Sequence, residues 1–269
     1  YLDLGGTIHY NSRVDKVLVD DGHAVGVRLT DGTEHRAHIV ISAADGHATI
    51  FDMLEGEYAD ETIRHCYEAW PIFPPIIQLS LGVDRDLTGE PHSLIYLLDQ
   101  PVTIAGVEQD RLIIRHLCYD ATLAPAGKSV IIVPIPADYQ YWKALDQDSA
   151  GYGGEKEQVI ETVVAGIEQR FPGIRGDIEV VNVATPLTYE RYTGNWQGSM
   201  EGWLMTTETM AKTLAGGMDN TLPGLEDFYM VGQWVEPGGG LPPAATSGRE
   251  VVEMICKRDG KPFVTQIPD

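Results

Sequence analysis

The sequence predicts a mixed α+β or α/β protein built as two lobes, and three observations carry that expectation. Short alternating apolar runs dominate residues 1–45 and recur through the middle of the chain. One long stretch, residues 155–171, spaces its apolar residues as a helix does, with Ile160, Val163, Val164, Ile167 and Phe171 on one face. Residues 228–258 read as a compact apolar strand, a glycine- and proline-rich turn and a helix. At 269 residues the chain can bury a substantial core.

Taken in order, residues 14–19 and 24–29 alternate and residues 39–41 form a short apolar run. Asp21-Gly22 and Asp31-Gly32 lie between these runs, and Asp-Gly steps are strong hairpin signals. A three-stranded antiparallel meander is therefore expected, and it must lean on something larger to cover its apolar face. Asp45 is an N-cap candidate for a helix to Leu54, and a second helix is expected over residues 60–69. Trp70-Pro71 and Pro74-Pro75 end helical structure. Strands follow at 76–83, 94–98, 112–117, 129–135 and 178–184, with the long helix among them. This middle region reads as an antiparallel sheet backed by helices.

Residues 185–205 differ in character. Arg191, Tyr192, Trp196, Met200, Trp203 and Met205 alternate with Gly194, Gly198 and Gly202, which suggests irregular backbone. Large flat side chains on such a backbone either line an apolar pocket or pin a loop to the core. In the closing stretch, Gly238, Gly239 and Gly240 let the backbone bend sharply and let a ligand approach it. Pro242 and Pro243 suit a helix's first turn, and a helix start favours an anionic or electron-rich group.

Bulk composition narrows the function classes. With 19 basic against 40 acidic residues the net charge is −21, so no basic surplus exists to neutralise phosphates and nucleic acid is not an expected partner. The same balance gives no support to membrane association through a polybasic patch. Cys66, Cys118 and Cys256 are odd in number and far apart, so neither a disulfide framework nor a zinc knuckle is expected, and a reducing, cytoplasmic setting fits. Oligomeric state is not legible. His35 and His38 are expected on opposite faces of one strand, and no histidine pair has helical chelating spacing, so no metal is expected. No serine or cysteine has a nucleophile's local signature, and no catalytic acid or base can be named. No G-x-G-x-x-G follows a strand anywhere.

Several stretches together resemble the FAD-dependent oxidoreductases that include phytoene desaturases, carotenoid isomerases and retinol saturases, within the wider amine-oxidase-like flavoproteins. GGTIHYNSRVDKVLVDDGHAVGVRLTDGTEHRAHIVISAAD at the start and FYMVGQWVEPGGGLPPAATSGR near the end carry the resemblance. YDATLAPAGK at 119–128 and TPLTYERYTGNWQGSMEGW at 185–203 add to it, in the family's order. The resemblance implies a partial, Rossmann-like FAD-binding domain from residues 1–45 and 207–269, with a substrate domain at 46–206. It implies that Val14 holds the adenine through its backbone and that Ala43 lies near the nucleotide. Gly232 and Gln233 would face the ribityl and pyrophosphate, and Gly238, Gly239, Leu241 and Pro242 would approach the flavin's pyrimidine edge. Gln233 stands where many flavoproteins carry an acid, and the Gly-rich βαβ unit that binds the ADP pyrophosphate is missing. Position 1 is Tyr and no leader follows, so the expectation is the C-terminal part of a longer parent, or a truncated relative, inactive alone.

The function implied for the parent is hydride transfer between flavin and an apolar, isoprenoid- or carotenoid-like substrate. Tyr192, Trp196, Trp203 and Met205 are the candidate substrate lining. Such chemistry can rest with the cofactor, so the lack of an acid–base pair does not count against it. Two alternatives stand beside it: a non-catalytic binder of an apolar ligand derived from the same fold, and a flavin amine oxidase, for whose aromatic cage the closing motif offers only Trp234.

Overall fold

The computed structural model describes residues 1–214 and 219–265. The chain divides into two compact units, Tyr1–Phe73 with Glu201–Asp269, and Pro74–Met200. The expected breaks after residues 45 and 206 thus fall at 73/74 and 200/201. The reason is packing: the helical stretch after residue 45 buries Ile50, Ile63, Cys66 and Tyr67, and the Tyr67 ring packs tilted against Trp203 and stacks with Trp234 of the same unit.

The first unit opens with the meander β1 (Val14–Asp20), β2 (His23–Leu29) and β3 (Glu34–Arg36), paired antiparallel in that order. Asp21 (φ 46°) and Gly22 (φ 78°) are both left-handed, the backbone a tight two-residue hairpin requires. Val17 and Ala24 carry the meander's buried face. The third strand lies at Glu34–Arg36, not at the apolar run 39–41. That run forms β4 (Val40–Ser42), in a separate parallel pair described below. His35 is on β3 while His38 lies beyond it, so the two do not share a strand.

Asp45 caps the next helical stretch as expected, accepting from Ala48 N–H at 2.8 Å. Residues Ala48–Met53 then adopt the wider π register, closed by Leu54 N–H to Thr49 C=O at 3.1 Å, a register that periodicity does not signal. Asp60 caps α1 (Glu61–Ala69) through Ile63 N–H at 2.8 Å.

The second unit holds β5 (Ile76–Val83), β6 (Ser93–Ile104), β7 (Val107–His116) and β8 (Ser129–Pro136). After these come α2 (Tyr139–Leu145), α3 (Ser149–Arg170), α4 (Ile174–Asp177), β9 (Ile178–Ala184) and α5 (Pro186–Thr193). The five strands form one antiparallel sheet in the order β6-β7-β8-β5-β9. Alternation does the sorting: Ile77, Leu79, Leu81 and Val83 of β5 and Ile131, Val133 and Ile135 of β8 enter one core with Val159, Val163, Val164 and Ile167 of α3. The long helix starts at Ser149, six residues before the expected start at residue 155, behind the Asp148 cap, which accepts from Gly151 N–H at 3.1 Å.

Residues 185–205 are less irregular than expected. Thr185 and Thr188 cap α5 reciprocally, Thr188 N–H to Thr185 Oγ1 at 3.4 Å and Thr185 N–H to Thr188 Oγ1 at 3.2 Å, with Pro186 in the first turn. The chain returns to the first unit for α6 (Thr207–Leu214), β10 (Phe228–Met230) and α7 (Leu241–Arg258). Among the described residues no helix is long and apolar enough to cross a membrane.

Candidate functional site

Two distant pieces of sequence meet in the first unit. β10 pairs parallel with β4, Phe228 beside Val40, Tyr229 beside Ile41 and Met230 beside Ser42, and Val231 N–H extends the ladder to Ser42 C=O at 2.9 Å. Both strands end together: continuing the register sets Ala43 opposite Val231, and Gly232 follows one residue beyond the sheet. The carboxyl ends of neighbouring parallel strands are where α/β sheets place their ligands.

Gly232 is built for access. Its φ is 103°, and a Cβ added there would meet nothing within 4 Å. Its N–H donates to the buried Ser247 Oγ at 2.8 Å, which ties the strand end to α7. Gln233 is half-buried, and its carbonyl lies so close to Gly202 that a Cβ on Gly202 would come within 2.6 Å.

The turn ahead of α7 is left-handed at Gly238 (φ 119°), Gly239 (φ 67°) and Gly240 (φ 85°). Neighbouring side chains explain two of these glycines. A Cβ at Gly238 would sit 2.9 Å from the Met205 methyl, and one at Gly239 would sit 2.9 Å from both the Glu201 Cβ and the Phe73 ring, with the Glu201 carboxylate also against it. Beside Gly240 the space is open, with Pro242 Cδ the nearest atom at 3.8 Å. α7 begins there with no side-chain cap, and Leu241 is 86% exposed. Pro242 and Pro243 carry no N–H, so this helix start presents its dipole with fewer donors than an ordinary one.

The electrostatic setting is acidic. Glu201 lies on the turn, and Glu236 is half-buried beside it in sequence, its carboxyl raised by burial and then by the charge of Glu250. Burial, followed by the charge of Asp45, likewise raises the Tyr67 phenol and keeps it protonated. A cavity of about 210 Å³ lies under Trp234, walled by Ile50, Ile63, Cys66, Met230 and Val235. None of the eight residues expected at a cofactor is among its lining.

Of those eight, Ala43, Gly232 and Gln233 gather at the paired strand ends, and Gly238, Gly239, Leu241 and Pro242 follow on the turn and helix start. Val14 is elsewhere in the unit, opening β1 opposite Leu29, and no hydrogen bond among the described residues joins it to the glycine turn. The four residues expected at a substrate divide between the units. Tyr192 (77% exposed, under the Arg191 guanidinium at 4.7 Å) and the half-buried Trp196 belong to the second unit. Met205 (39% exposed) and Trp203 (0% exposed) belong to the first. Trp203 is enclosed by Tyr67, Trp70 and Trp234 and donates Nε1–H to Trp234 C=O at 2.9 Å, so its surface is taken up by protein.

Sequence reasoning missed Glu201, Phe73 and Ser247. The only signal for Glu201 and Phe73 was Gly239, which lies against both and marks close approach without saying of what. The residues present fit one edge of a flavin. Open backbone at Gly232 and Gly240 and an uncapped helix start suit electron-rich carbonyls, while the sequence has no Gly-rich turn for a pyrophosphate. Among the described residues no cluster of His, Cys, Asp or Glu could hold a metal ion.

The chain matches the family described as flavin containing amine oxidoreductase over residues 2–256. It is 27% identical to a 4,4'-diapophytoene desaturase (4,4'-diapolycopene-forming) of Methylomonas sp, covering 94% of this chain and 50% of that one. It is also 27% identical to the chloroplastic prolycopene isomerase of Daucus carota, covering 92% and 40%. The chain thus spans about half the length of such relatives, or less. Its fold is similar to that of an oxidoreductase from Methanosarcina mazei (TM-score 0.62, 21% identity, 94% of this chain and 51% of that one). It is similar as well to cyclohexylamine oxidase from Brevibacterium oxydans (TM-score 0.57, 16% identity, 92% and 48%). In agreement with the motifs at its two ends, this chain belongs to the flavin containing amine oxidoreductase family.

Proposed function

We propose that this chain supplies the closing part of a flavin cradle and the substrate lobe of an FAD-dependent oxidoreductase acting on an apolar, carotenoid-like substrate. The observation that carries the reading is the parallel pairing of β4 with β10, which brings the Ala43 and Val231-Gly232 strand ends together, followed by the glycine turn and the uncapped start of α7. Bound FAD would supply hydride transfer. The chain's own residues bind and orient: Gly232 and Gln233 toward the ribityl and phosphate groups, Gly238, Gly239, Leu241 and Pro242 toward the pyrimidine edge, Val14 and Ala43 toward the nucleotide.

A helix end stabilises nearby negative charge by up to about 2 kcal/mol in partly buried settings, equivalent to tens of millivolts for a two-electron couple. Glu201, against Gly239, is the carboxylate best positioned to hold or release a proton beside that edge. Tyr192 and Trp196 are the apolar contacts proposed for the second unit and Met205 the one proposed for the first, where Trp203 fixes the backbone between Glu201 and Met205. The similarity to a 4,4'-diapophytoene desaturase and a prolycopene isomerase supports an apolar substrate. Trp234 is buried, which leaves an amine-oxidising cage without its expected aromatic.

Because the chain lacks a Gly-rich pyrophosphate turn, it is expected to hold FAD weakly by itself, and joining it to a Gly-rich nucleotide-binding unit should restore binding. Absorption spectra of both proteins titrated with FAD test this. In the joined protein Gly232→Val should sharply lower flavin content, whereas Trp196→Ala should weaken substrate binding with flavin content intact. Stoichiometric FAD on the isolated chain, or full flavin content in Gly232→Val, would overturn the reading.

A further inference from the structure

The second unit contains a polar cavity of about 430 Å³ between α2, α3 and α5 that the flavin reading does not use. Lys143 comes from α2, Tyr152 and Lys156 from α3, Glu190 and Arg191 from α5. The chain has 40 acidic and 19 basic residues, and among the described residues most lysines and arginines find a carboxylate. Lys143 does, bonding Asp146 at 3.2 Å. Lys156 and Arg191 are in no ion pair among the described residues. Each lies over an aromatic ring instead, Lys156 at 5.9 Å from the Tyr152 centroid and Arg191 at 4.7 Å from that of Tyr192.

The carboxylates on the same wall are already engaged. Asp146 accepts from Lys143, and both oxygens of Glu190 accept from Tyr139 Oη at 2.9 Å. Burial, and then that hydrogen bond, hold the Tyr139 phenol protonated, so the donor stays in place. Cations outnumber carboxylates three to two around the cavity, and two of the three have no counter-ion among the described residues. Lys156 is half-buried and Arg191 is exposed, so the cavity presents both cations to solvent. The missing partner is an anion, and the mix of a guanidinium and an ammonium suits phosphate oxygens.

The geometry points to a binding site for a phosphate group in this cavity, held by Lys156 and Arg191, with Lys143 at its rim. The volume is in the range of small-molecule sites and exceeds what a bare phosphate needs. Leu187 and the Tyr152 ring offer an organic portion apolar contact. The ligand class is therefore a phosphorylated small molecule, with free phosphate as the other source of the same chemistry.

The chain itself serves for the test, without flavin. Inorganic phosphate, pyrophosphate, phenyl phosphate and succinate are titrated calorimetrically at low ionic strength into wild type, Lys156→Ala, Arg191→Ala and Lys156→Arg, with thermal unfolding as the folding control. Saturable one-site binding of a phosphate probe is expected, weakened at least about tenfold in each alanine variant and largely kept in Lys156→Arg. Tighter binding of phenyl phosphate than of inorganic phosphate assigns an organic ligand, and the reverse order assigns the free ion. Absence of saturable phosphate binding, equal affinity in folded alanine variants, or succinate binding as tightly as phosphate would overturn the assignment. None of these results bears on whether FAD is bound.

Discussion

Replacing Gly239 with alanine probes whether Glu201 and Phe73 press on the glycine turn as described. Two penalties act at this position. A left-handed backbone costs a non-glycine residue roughly 1–2 kcal/mol. The new methyl would also lie 2.9 Å from the Glu201 Cβ and from the Phe73 ring edge. The Glu201 carboxylate can swing away, but its Cβ is held on the backbone and the Phe73 ring can yield only by repacking, so overpacking adds about 1–3 kcal/mol. Gly194 is the reference. It is left-handed (φ 74°) at the end of α5, with nothing within 4 Å of an added Cβ, so Gly194→Ala carries the backbone penalty alone. Urea unfolding of both variants, followed by tryptophan fluorescence, should show Gly239→Ala less stable than Gly194→Ala by about 1–3 kcal/mol, a midpoint difference of about 1 M. Equal midpoints would mean that the segment carrying Glu201 does not pack on the turn, and the placement of that carboxylate would fall with it.

Ser247→Ala leaves the Gly232 N–H without its acceptor, and unfolding should show a loss of about 1–3 kcal/mol, with Ser247→Thr retaining part of the bond. His23 gives a pH signature. Its Nδ1 lies 2.9 Å from Asp227 Oδ2, and that hydrogen bond, with the charges of Glu226, Asp227 and Asp21, raises its pKa above 6.5. A raised histidine contributes its stability fully below the unfolded value and loses it as pH climbs through the folded value. Thermal stability should therefore fall on going from just below pH 6.5 upward. Asp227→Asn should flatten that dependence, and a profile unchanged by the substitution would refute the link.

How much was legible follows from which signals are local. β5 and β9 were readable to the residue because they alternate, or run apolar, between clear breaks at the prolines and glycines around them. β3 was not, because Glu34, His35 and Arg36 are all exposed and carry no apolar pattern; the run at 39–41 imitated the missing strand while pairing elsewhere. α5 lies in a stretch whose aromatics and glycines suggest irregular backbone, although Thr185-Pro186-x-Thr188 is a local helix-start signal. The start of α3 was obscured by Gly151, Gly153 and Gly154, whose low helix propensity is overridden by the Asp148 cap and the packing of the later turns. At the site, the glycine turn was visible but its occupants were not. Contacts of Gly239 with Phe73 and Glu201 span long stretches of chain, and no window of sequence encodes them.

The route between the two units has a consequence for how the protein can be taken apart. The outgoing and returning chains run alongside each other: Phe73 N–H bonds Gly202 C=O at 2.7 Å, Leu204 N–H bonds Pro71 C=O at 2.9 Å, and Ile72 bridges Trp203. A lobe whose two ends leave the parent body as neighbouring rungs is a cassette. It can be excised and replaced by a short hairpin, or exchanged for a differently shaped one, with little loop-closure entropy at stake and the β4–β10 junction left whole.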